Sequence, residues 1–390
     1  MTKDCPQTKS YVTEQNFEES ITVNNAITAA EKKEIYNFRY QIYVEEMFKQ
    51  IDIADKKNKI LSDNLDEWGI LLSAKIGSKL IATARINIGT IDDFPLEEAA
   101  FLSLSEFQDC PGYSDKQQYA LITKIMVAPA YRSSRAFYQL LAKCYELCCS
   151  NNVNFMFGLC NLHLIRLYEK LGIHRYGKNF FLPGYGLQTP LVLLINDLQH
   201  LRIIRSPLFR IARKREGVDT RSVEWFHNKF THHSNFINSQ TVTEEKLWNI
   251  LSERLAGTPT EIIGLLSRLS VTEAKKFIHN CGSYVQCDPG NLITIQGDVS
   301  YTYNILIAGR VKSLTLLHPV KEYSSPGHHI GTNGLTEHNF HTEDIAAVDS
   351  TDLLILSGIA FQRFSHSYPE IAHKVIQYTQ AAKNIIINVV

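Results

Sequence analysis

The chain has 390 residues, of which 44% are hydrophobic, and its 40 basic side chains balance 40 acidic ones. The length exceeds a single small core and predicts two or three domains. Zero net charge excludes a global attraction to nucleic acid or to an anionic membrane, and no apolar run approaches the roughly 20 residues of a membrane span. Because the N-terminus also lacks the pattern of a secretory signal, we expect a cytoplasmic protein.

The N-terminal half alternates helix and strand patterns. TAAEKKEIYNFRYQIYVEEM predicts a helix, and WGILLSAKIG and LIATARINIG predict a hairpin around a short turn. Next, ALITKIMV predicts a strand that leads into a helix, NFMFGLC a buried strand, NLHLIRLYEKLG a helix and LQTPLVLLIND another strand. The alternation predicts an α/β fold with a mixed sheet flanked by helices.

The sequence pattern changes after this region. RIIRSPLFRIARKREGVDTRS is basic and predicts a linker or a short exposed helix. Helices are predicted from Thr243 to Asn280, then short strands of an all-β barrel or jelly roll, and a final helical pattern covers about Ser357 to Lys383. We therefore predict an α/β domain over residues 25–208, a basic linker over 209–242 and a jelly-roll domain over 243–390.

Cysteines and histidines give little indication of a metal site. The chain has no CxxC pair, and the cysteines at positions 144, 148, 149 and 160 lie in apolar or amphipathic segments, as is typical of reduced, buried thiols. One group of histidines comprises His328, His329, His338 and His341. We interpret these as polar loop histidines, with a metal site as the alternative, and predict no metal.

The order of strand, VAPAYRSSRAFYQLL, strand and NLHLIRLYEKLGI resembles the GNAT superfamily of N-acyltransferases. The resemblance implies that the turn before the helix points backbone N–H groups at the phosphates of a pantetheine-bearing donor. The donor-binding residues would be Arg132, Ser133, Ser134, Arg135 and Ala136. Arg135 and Phe137 stand where small residues are usual, which disfavours the pyrophosphate of coenzyme A and favours the single phosphodiester of a carrier protein.

Four further segments look like the long-chain N-acyl amino acid synthases, relatives of the acyl-homoserine lactone synthases. They are FRYQIYVEEM, SDNLDEW, ATARI and YGLQTPLVLLINDLQHLRIIRSPL, and the resemblance covers about residues 28–208. It implies transfer of a fatty acyl group from acyl carrier protein to an amine. The family usually places an acid and an arginine on the strand where Leu121 and Lys124 stand here.

Acyl transfer from a thioester needs donors for the developing oxyanion and a proton for the departing thiolate. We expect a bulge after Lys124 to present the backbone N–H of Met126 or Val127 to the oxyanion. Tyr168 is expected to protonate the thiolate, as the resemblance to GNAT enzymes implies. The alternative is that Tyr168 only packs beneath the sheet with its hydroxyl satisfied.

Arg39 and Arg85 are predicted to bind an acceptor carboxylate through bidentate contacts, with Asp66 and Lys124 beside them. Alternatively, the two arginines pair with Asp63 or Asp66 as scaffold. The general base stays open among Glu45, Asp66 and His163. A basic run would either steer acyl carrier protein or form a solvated linker, and it comprises Arg202, Arg205, Arg210, Arg213, Lys214 and Arg215.

The C-terminal half, from LSRLSVTEAKKF to ILIAGRVKSL and on to about residue 376, resembles the cyclic nucleotide-binding domains. That family holds the ribose with a Glu and, nine positions later, the cyclic phosphate with an Arg. Here Thr332 and His341 occupy these positions, and a histidine lacks the fork of an arginine, so we expect a degenerate pocket. The domain is interpreted as a structural or homo-oligomerisation module, or else as a regulatory module for another ligand sensed by protonated His341.

We therefore predict an N-acyltransferase that moves a long-chain acyl group from acyl carrier protein to the amine of an amino acid or other small molecule. No permanently bound cofactor is expected, and the co-substrate is an acyl-carrier-protein thioester or acyl-coenzyme A. Two rival functions are a protein-lysine acetyltransferase that uses acetyl-coenzyme A and a non-catalytic, nucleotide-responsive regulator.

Overall fold

The structure is a computed structural model that describes residues 20–132, 134–230, 237–314 and 321–387. Up to residue 230 the strands are β1 (Thr22–Asn25), β2 (Ile70–Ile76), β3 (Lys79–Gly89), β4 (Tyr119–Val127), β5 (Phe155–Asn161), β6 (His174–Arg175), β7 (Phe180–Leu182) and β8 (Gly186–Leu194). The α-helices in the same range are α1 (Ala29–Tyr40), α2 (Leu96–Phe101), α3 (Ala136–Ser150), α4 (Ile165–Glu169), α5 (Leu198–Ile203), α6 (Phe209–Ala212) and α7 (Arg221–Phe230).

The remaining elements follow residue 237. The strands are β9 (Gly282–Cys287), β10 (Leu292–Thr294), β11 (Thr302–Ala308), β12 (Val311–Ser313), β13 (Glu322–Tyr323), β14 (His329–Ile330), β15 (Ile345–Ala347) and β16 (Thr351–Ser357). The helices are α8 (Glu244–Leu255), α9 (Pro259–Ile262), α10 (Val271–Cys281), α11 (Gly358–Ser367) and α12 (Pro369–Ile387). None of the helices in the described ranges is both long and apolar enough to cross a bilayer.

The chain packs into two compact units. The first comprises the chain up to Leu159 together with Val192–Leu201 and Pro207–Trp225, and the second comprises Cys160–Leu191, Arg202–Ser206 and the chain from Phe226. Residues 160–191, which we assigned to the N-terminal domain, thus cluster with the second unit. The domain boundaries after residues 208 and 242 stay predictions, and the segment between them contains α6 and α7.

Helix α1 begins where the sequence predicts it, because Thr28 and Glu31 form a capping box. The Glu31 N–H donates to Thr28 Oγ1 at 3.2 Å, and the Thr28 N–H donates to the Glu31 carboxylate at 2.9 Å. Its apolar face buries Ile35 and Phe38. Beyond Tyr40 the helix continues as a π-helical segment, Gln41–Glu46, a variant that is frequent at functional sites.

The sheet of the first unit has the strand order β1-β2-β3-β4-β5. β2 and β3 form the predicted hairpin, in which Ile76 pairs with Lys79 and Gly77 takes a φ of 56° in the tight turn. β3 and β4 are antiparallel, whereas β4 and β5 are parallel. The predicted mixed α/β sheet is therefore confirmed.

The second unit holds two four-stranded antiparallel sheets. Their strand orders are β10-β15-β12-β13 and β14-β11-β16-β9. Side chains from the helices and from the second sheet share one core, which includes Leu251, Phe277 and Leu354. These sheets confirm the predicted jelly-roll class. The final helical pattern is confirmed, as two helices that are separated at Tyr368. Pro369 begins α12 because a proline fits a first helical turn but not a helix interior.

Candidate active site

A buried ion pair joins α1 to the short helical turn Asn64–Asp66. Arg39 is fully buried, and its Nη1 lies 2.8 Å from both carboxylate oxygens of Asp66, which is itself 4% exposed. A second carboxylate, Asp63, caps the same turn by accepting from the Leu65 N–H at 3.1 Å, and its own N–H donates to Asp66 at 2.9 Å. The turn thus fixes both carboxylates toward the arginines.

Arg85 reaches the same carboxylates from β3. Its Nη1 contacts Asp63 and lies 2.9 Å from Asp66 Oδ1, while its Nε donates to Thr123 Oγ1 on β4 at 3.0 Å. These are the pairings that the scaffold alternative predicts. Burial alone would raise the pKa of Asp63, but attraction to Arg85 and Lys124 outweighs it and lowers that pKa.

Strand β4 carries a one-residue bulge at Lys124. Thr83 pairs with Met126 but Arg85 pairs with Thr123, so β4 holds one residue more than β3 between these pairs. Lys124 takes a φ of 52°, which is uncommon for a residue with a side chain, and its Nζ lies 3.5 Å from Asp63 Oδ2. The predicted bulge is confirmed, and it turns Lys124 toward the carboxylates.

The bulge also decides which backbone amides face away from β3. The Ala128 N–H donates to Ile81 O at 2.8 Å, and because bonded and non-bonded positions alternate along an antiparallel strand, the Val127 N–H points away from β3. The pairing of β4 with β5 ends at Ile122 and Gly158. The Val127 N–H therefore lies on the β5 side of β4, beyond the last residue of β4 that pairs with β5. Of the two predicted oxyanion donors, it is the one that β3 leaves available.

The cluster carries one excess positive charge. Arg39, Arg85 and Lys124 supply three cations, and Asp63 and Asp66 supply two carboxylates. Within the described residues, Nε and Nη2 of the buried Arg39 have no hydrogen-bond partner. One further carboxylate would balance this excess charge.

Burial lowers the pKa of Lys124 from 10.5 to about 8, although attraction to Asp63 acts in the opposite direction. Since the unfolded lysine keeps the ordinary pKa, the unfolded chain binds one more proton between about pH 8 and 10.5. The free energy of unfolding should therefore rise with pH in this window, by up to about 3 kcal/mol. Below pH 8 the cost of burying the charge is fully present.

Urea unfolding of the wild type and of Lys124→Met between pH 7 and 10.5 checks this expectation. Other titrating groups affect both proteins equally, so the difference between the two curves isolates Lys124. We expect the free energy of unfolding of the wild type to rise relative to that of the variant as pH rises. Parallel curves would show that the lysine titrates normally.

Sequence analysis missed Tyr43 at this site. Its ring centroid lies 5.6 Å from Lys124 Nζ, and burial raises the pKa of its hydroxyl. Tyr43 stands four residues after Arg39 in the FRYQIYVEEM segment, so the two share one face of the helix. That spacing was the available signal.

The donor turn is only partly described, because Ser133 lies outside the described residues. Ser134 Oγ accepts from the Ala136 N–H at 3.2 Å at the start of α3, and Arg135 is exposed. The side chain of Arg132 contacts Glu46 and donates to Val127 O at 3.3 Å. Arg132 therefore bridges the donor turn to the end of β4, and its predicted role toward the donor stays a prediction.

Tyr168 and His163 belong to the second unit. Tyr168 is half-buried on α4, and the ring of His163 stacks on Tyr301 with centroids 4.9 Å apart. Glu45, another candidate base, is exposed and pairs with Lys59 at 2.7 Å. Asp66 is held by two arginines. The general base stays open, and the role of Tyr168 stays a prediction.

The predicted basic run is not uniform. Arg202, Arg205, Arg210, Arg213 and Lys214 are exposed. Arg215 is half-buried, and it donates to Ile195 O at 2.9 Å and to Asn196 Oδ1 at 2.8 Å. Arg215 thus stabilises the chain after β8, and only the other five cations are presented to solvent.

The predicted degenerate pocket has its own hydrogen bond. The Thr332 N–H donates to His341 Nδ1 at 3.2 Å, so this nitrogen acts as an acceptor, and His341 is 9% exposed. The ring also lies against Gly331, where an added Cβ would come within 3.1 Å of it. His341 thus has a hydrogen bond inside the pocket itself.

The other clustered histidines stack on tyrosines. His329 lies 3.8 Å from Tyr303 between ring centroids, and burial lowers its pKa to about 3; His328 stacks on Tyr323 at 4.8 Å. In the described ranges, none of the four histidines belongs to a group of three metal-ligating side chains. Their positions fit the interpretation as packed or loop histidines.

Residues 34–197 match the family described as N-acyl amino acid synthase FeeM. The matched range includes the arginine–aspartate cluster, Lys124 and Tyr168. The prediction of an acyltransferase is therefore confirmed for this region, and the chain carries an acyltransferase domain. A comparison with curated proteins gave no match.

Three solved structures are similar to parts of the chain. FeeM, an N-acyl amino acid synthase from uncultured soil microbes, is 10% identical, with coverage of 49% of this chain and 98% of that chain and a TM-score of 0.39. The AHL synthase LasI is 11% identical, with coverage of 45% and 91% and a TM-score of 0.35. A cyclic nucleotide-binding domain from Methylobacillus flagellatus is 14% identical, with coverage of 33% and 78% and a TM-score of 0.29. At such scores the identification rests on the family match.

Proposed function

We propose that the protein transfers an acyl group, long-chain and carried by acyl carrier protein, to the amine of an amino acid or a similar small acceptor in the cytoplasm. The observation that carries this proposal is the bulge in β4, where Lys124 lies 3.5 Å from Asp63 of the arginine–aspartate cluster and three residues before the Val127 N–H. The family match of residues 34–197 supports the reaction class.

In this reaction the acceptor amine attacks the thioester carbonyl, and a C–N bond replaces the C–S bond. The Val127 N–H stabilises the oxyanion that develops on the carbonyl oxygen, a contribution of about 3 kcal/mol in comparable sites. Tyr168 gives its proton to the departing thiolate. The proton that the amine loses passes to solvent through a base that we leave unassigned.

Lys124 is proposed to bind the acceptor carboxylate. Arg39 and Arg85 hold the two aspartates and thereby orient Asp63 toward Lys124, and the excess positive charge of the cluster matches one carboxylate. With a pKa of about 8, Lys124 is mostly charged at pH 7. A lysine in this position, in place of the family's usual arginine, makes a single contact rather than a fork.

The donor is proposed to be a carrier-protein thioester or an acyl-coenzyme A, with no permanently bound cofactor. The exposed cations Arg210, Arg213 and Lys214 are suited to steer an acidic carrier protein. The C-terminal jelly roll is proposed to be a structural or regulatory module.

The test compares an amino acid with the amine that lacks its carboxyl group, as acceptors in the same donor-thiol release assay. We expect the amino acid to be preferred by about tenfold or more in kcat/KM, since a charge-assisted contact is lost with the shorter amine. In Lys124→Met the preference should disappear. An unchanged preference in the variant would show that Lys124 does not bind the acceptor carboxylate.

A further inference from the structure

A cavity in the second unit is lined mainly by α11 and by residues 163–170, which include α4. It has a volume of about 150 Å³, similar to engineered cavities that hold one benzene molecule. Three cations line it, Arg166, Lys170 and Arg363, and no aspartate or glutamate lies among its lining residues. It is separate in sequence from the degenerate nucleotide pocket at Thr332 and His341.

Arg166 is the half-buried cation of this cavity, and its hydrogen bonds within the described residues use only one of its three guanidinium nitrogens. Its Nη1 contacts Ser239 Oγ at 2.5 Å and Gly282 O at 3.3 Å, and both partners are neutral. The same guanidinium has three further N–H groups, on Nε and Nη2, that make no hydrogen bond within the described residues. The adjacent acid on α4, Glu169, is already paired with Arg175 at 2.8 Å.

Lys170 and Arg363 are the two exposed cations of this cavity. Neither makes an ion pair within the described residues, although both side chains line the same small volume as Arg166. Partial burial lowers the pKa of Lys170, and repulsion from Arg166 and Arg363 acts in the same direction. The buried Glu169 attracts Arg166 but is already paired with Arg175, so the three cations leave a local excess of positive charge that favours an anion.

The first turn of α11 adds a backbone donor. Ser357 caps this ten-residue helix, the Gly358 N–H donates to Tyr301 O at 3.0 Å, and the Ala360 N–H donates to Ser357 Oγ at 3.4 Å. The N–H of Ile359, a lining residue, makes no hydrogen bond within the described residues. A helix N-terminus with a spare N–H favours negative charge.

We propose that this cavity binds a phosphate-type oxyanion, either as the free ion or as the phosphate of a small phosphomonoester, through Arg166, Lys170, Arg363 and the N-terminus of α11. A tetrahedral dianion can use several donors at once, whereas a single carboxylate would leave most of them unused. The cavity has room for a short organic substituent beside the phosphate. None of these three cations has a role in the proposed acyl transfer, so loss of phosphate binding in their variants is distinguishable from loss of acyltransferase activity.

Calorimetric titration of the full chain with inorganic phosphate tests the site, at pH 7 and at constant ionic strength set with chloride. We expect saturable binding of one ion per chain, weakened about tenfold or more in Lys170→Gln and in Arg363→Gln. The control Lys246→Gln removes an equal charge from an exposed position on α8 and should bind within about twofold of the wild type. Absence of saturable heat, or equal weakening by the control, would overturn the proposal.

Thermal unfolding supplies a second test. If Lys170 had only a structural role, Lys170→Gln would lower the unfolding temperature. Without phosphate, Lys170→Gln should unfold at the wild-type temperature or above it, because repulsion has been removed. With phosphate, only the wild type and Lys246→Gln should gain stability. A clear loss of stability in phosphate-free Lys170→Gln would contradict the proposal.

Titration with glycerol 3-phosphate distinguishes a phosphomonoester from the free ion as the ligand. Tighter binding than that of inorganic phosphate assigns the cavity to phosphomonoesters, and weaker binding assigns it to the free ion.

Discussion

Replacing Asp66 with alanine is expected to lower the free energy of unfolding by about 3–5 kcal/mol. Asp66 accepts two contacts of 2.8 Å from the fully buried Arg39 and one of 2.9 Å from Arg85. Without it, both buried arginines lose a counterion that water cannot replace. Asp66→Asn keeps the shape and part of the hydrogen bonding, so it should cost less than the alanine variant.

Urea unfolding at pH 7 measures this effect, with Glu45→Ala as the matched control. Glu45 also loses a lysine ion pair, but its side chain is 43% exposed and that of Lys59 is 64% exposed. Such surface pairs contribute at most about 1 kcal/mol. If Asp66→Ala and Glu45→Ala had equal costs, the cluster would not be the buried scaffold described above.

Removing the hydroxyl of Tyr168 should lower kcat by about a hundredfold or more, because general acid catalysis typically contributes 10²–10⁴-fold. The KM for the amine should change little, since the proton is needed only when the thiolate departs. Tyr168→Phe keeps the half-buried aromatic ring, so the unfolding temperature should stay near that of the wild type. The measurement is thiol release from the acyl donor in the presence of the acceptor.

Two controls separate chemistry from packing at Tyr168. Tyr113→Phe removes another half-buried hydroxyl, one that accepts from Gln108 at 3.0 Å, and should leave kcat unchanged. An aryl thioester donor should restore most of the activity of Tyr168→Phe, because its thiolate departs without protonation. A loss of the same size with both donors would assign Tyr168 to packing instead.

Local patterns in the sequence were sufficient for the elements around the site. The pattern TAAEKKEIYNFRYQIYVEEM predicts α1, whose start is stabilised by the Thr28–Glu31 capping box, and the turn at Gly77 predicts the hairpin of β2 and β3. Both signals depend on residues a few positions apart, so they can be recognised in the sequence without knowledge of the tertiary fold. The bulge could be anticipated only from the resemblance to the GNAT fold.

Features that depend on distant residues were harder to predict. The Arg39–Asp66 pair spans 27 positions, and whether the arginine binds a substrate or an aspartate is decided by packing rather than by pattern. Sequence alternation likewise placed residues 160–191 in the first domain, although they cluster with the second unit. The cations of the cavity come from α4 and α11, almost 200 positions apart; no local pattern joins them.

The central claim is acyl transfer to a small amine, and product analysis by mass spectrometry tests it most directly. Purified full-length protein is incubated with long-chain acyl carrier protein and a mixture of amino acids, and in parallel with acetyl-coenzyme A and a protein substrate. We predict an N-acyl amino acid that is absent when the amines or the enzyme are omitted. Acetylated protein lysines without any acylated amino acid, or no acylated product from either mixture, would contradict the account.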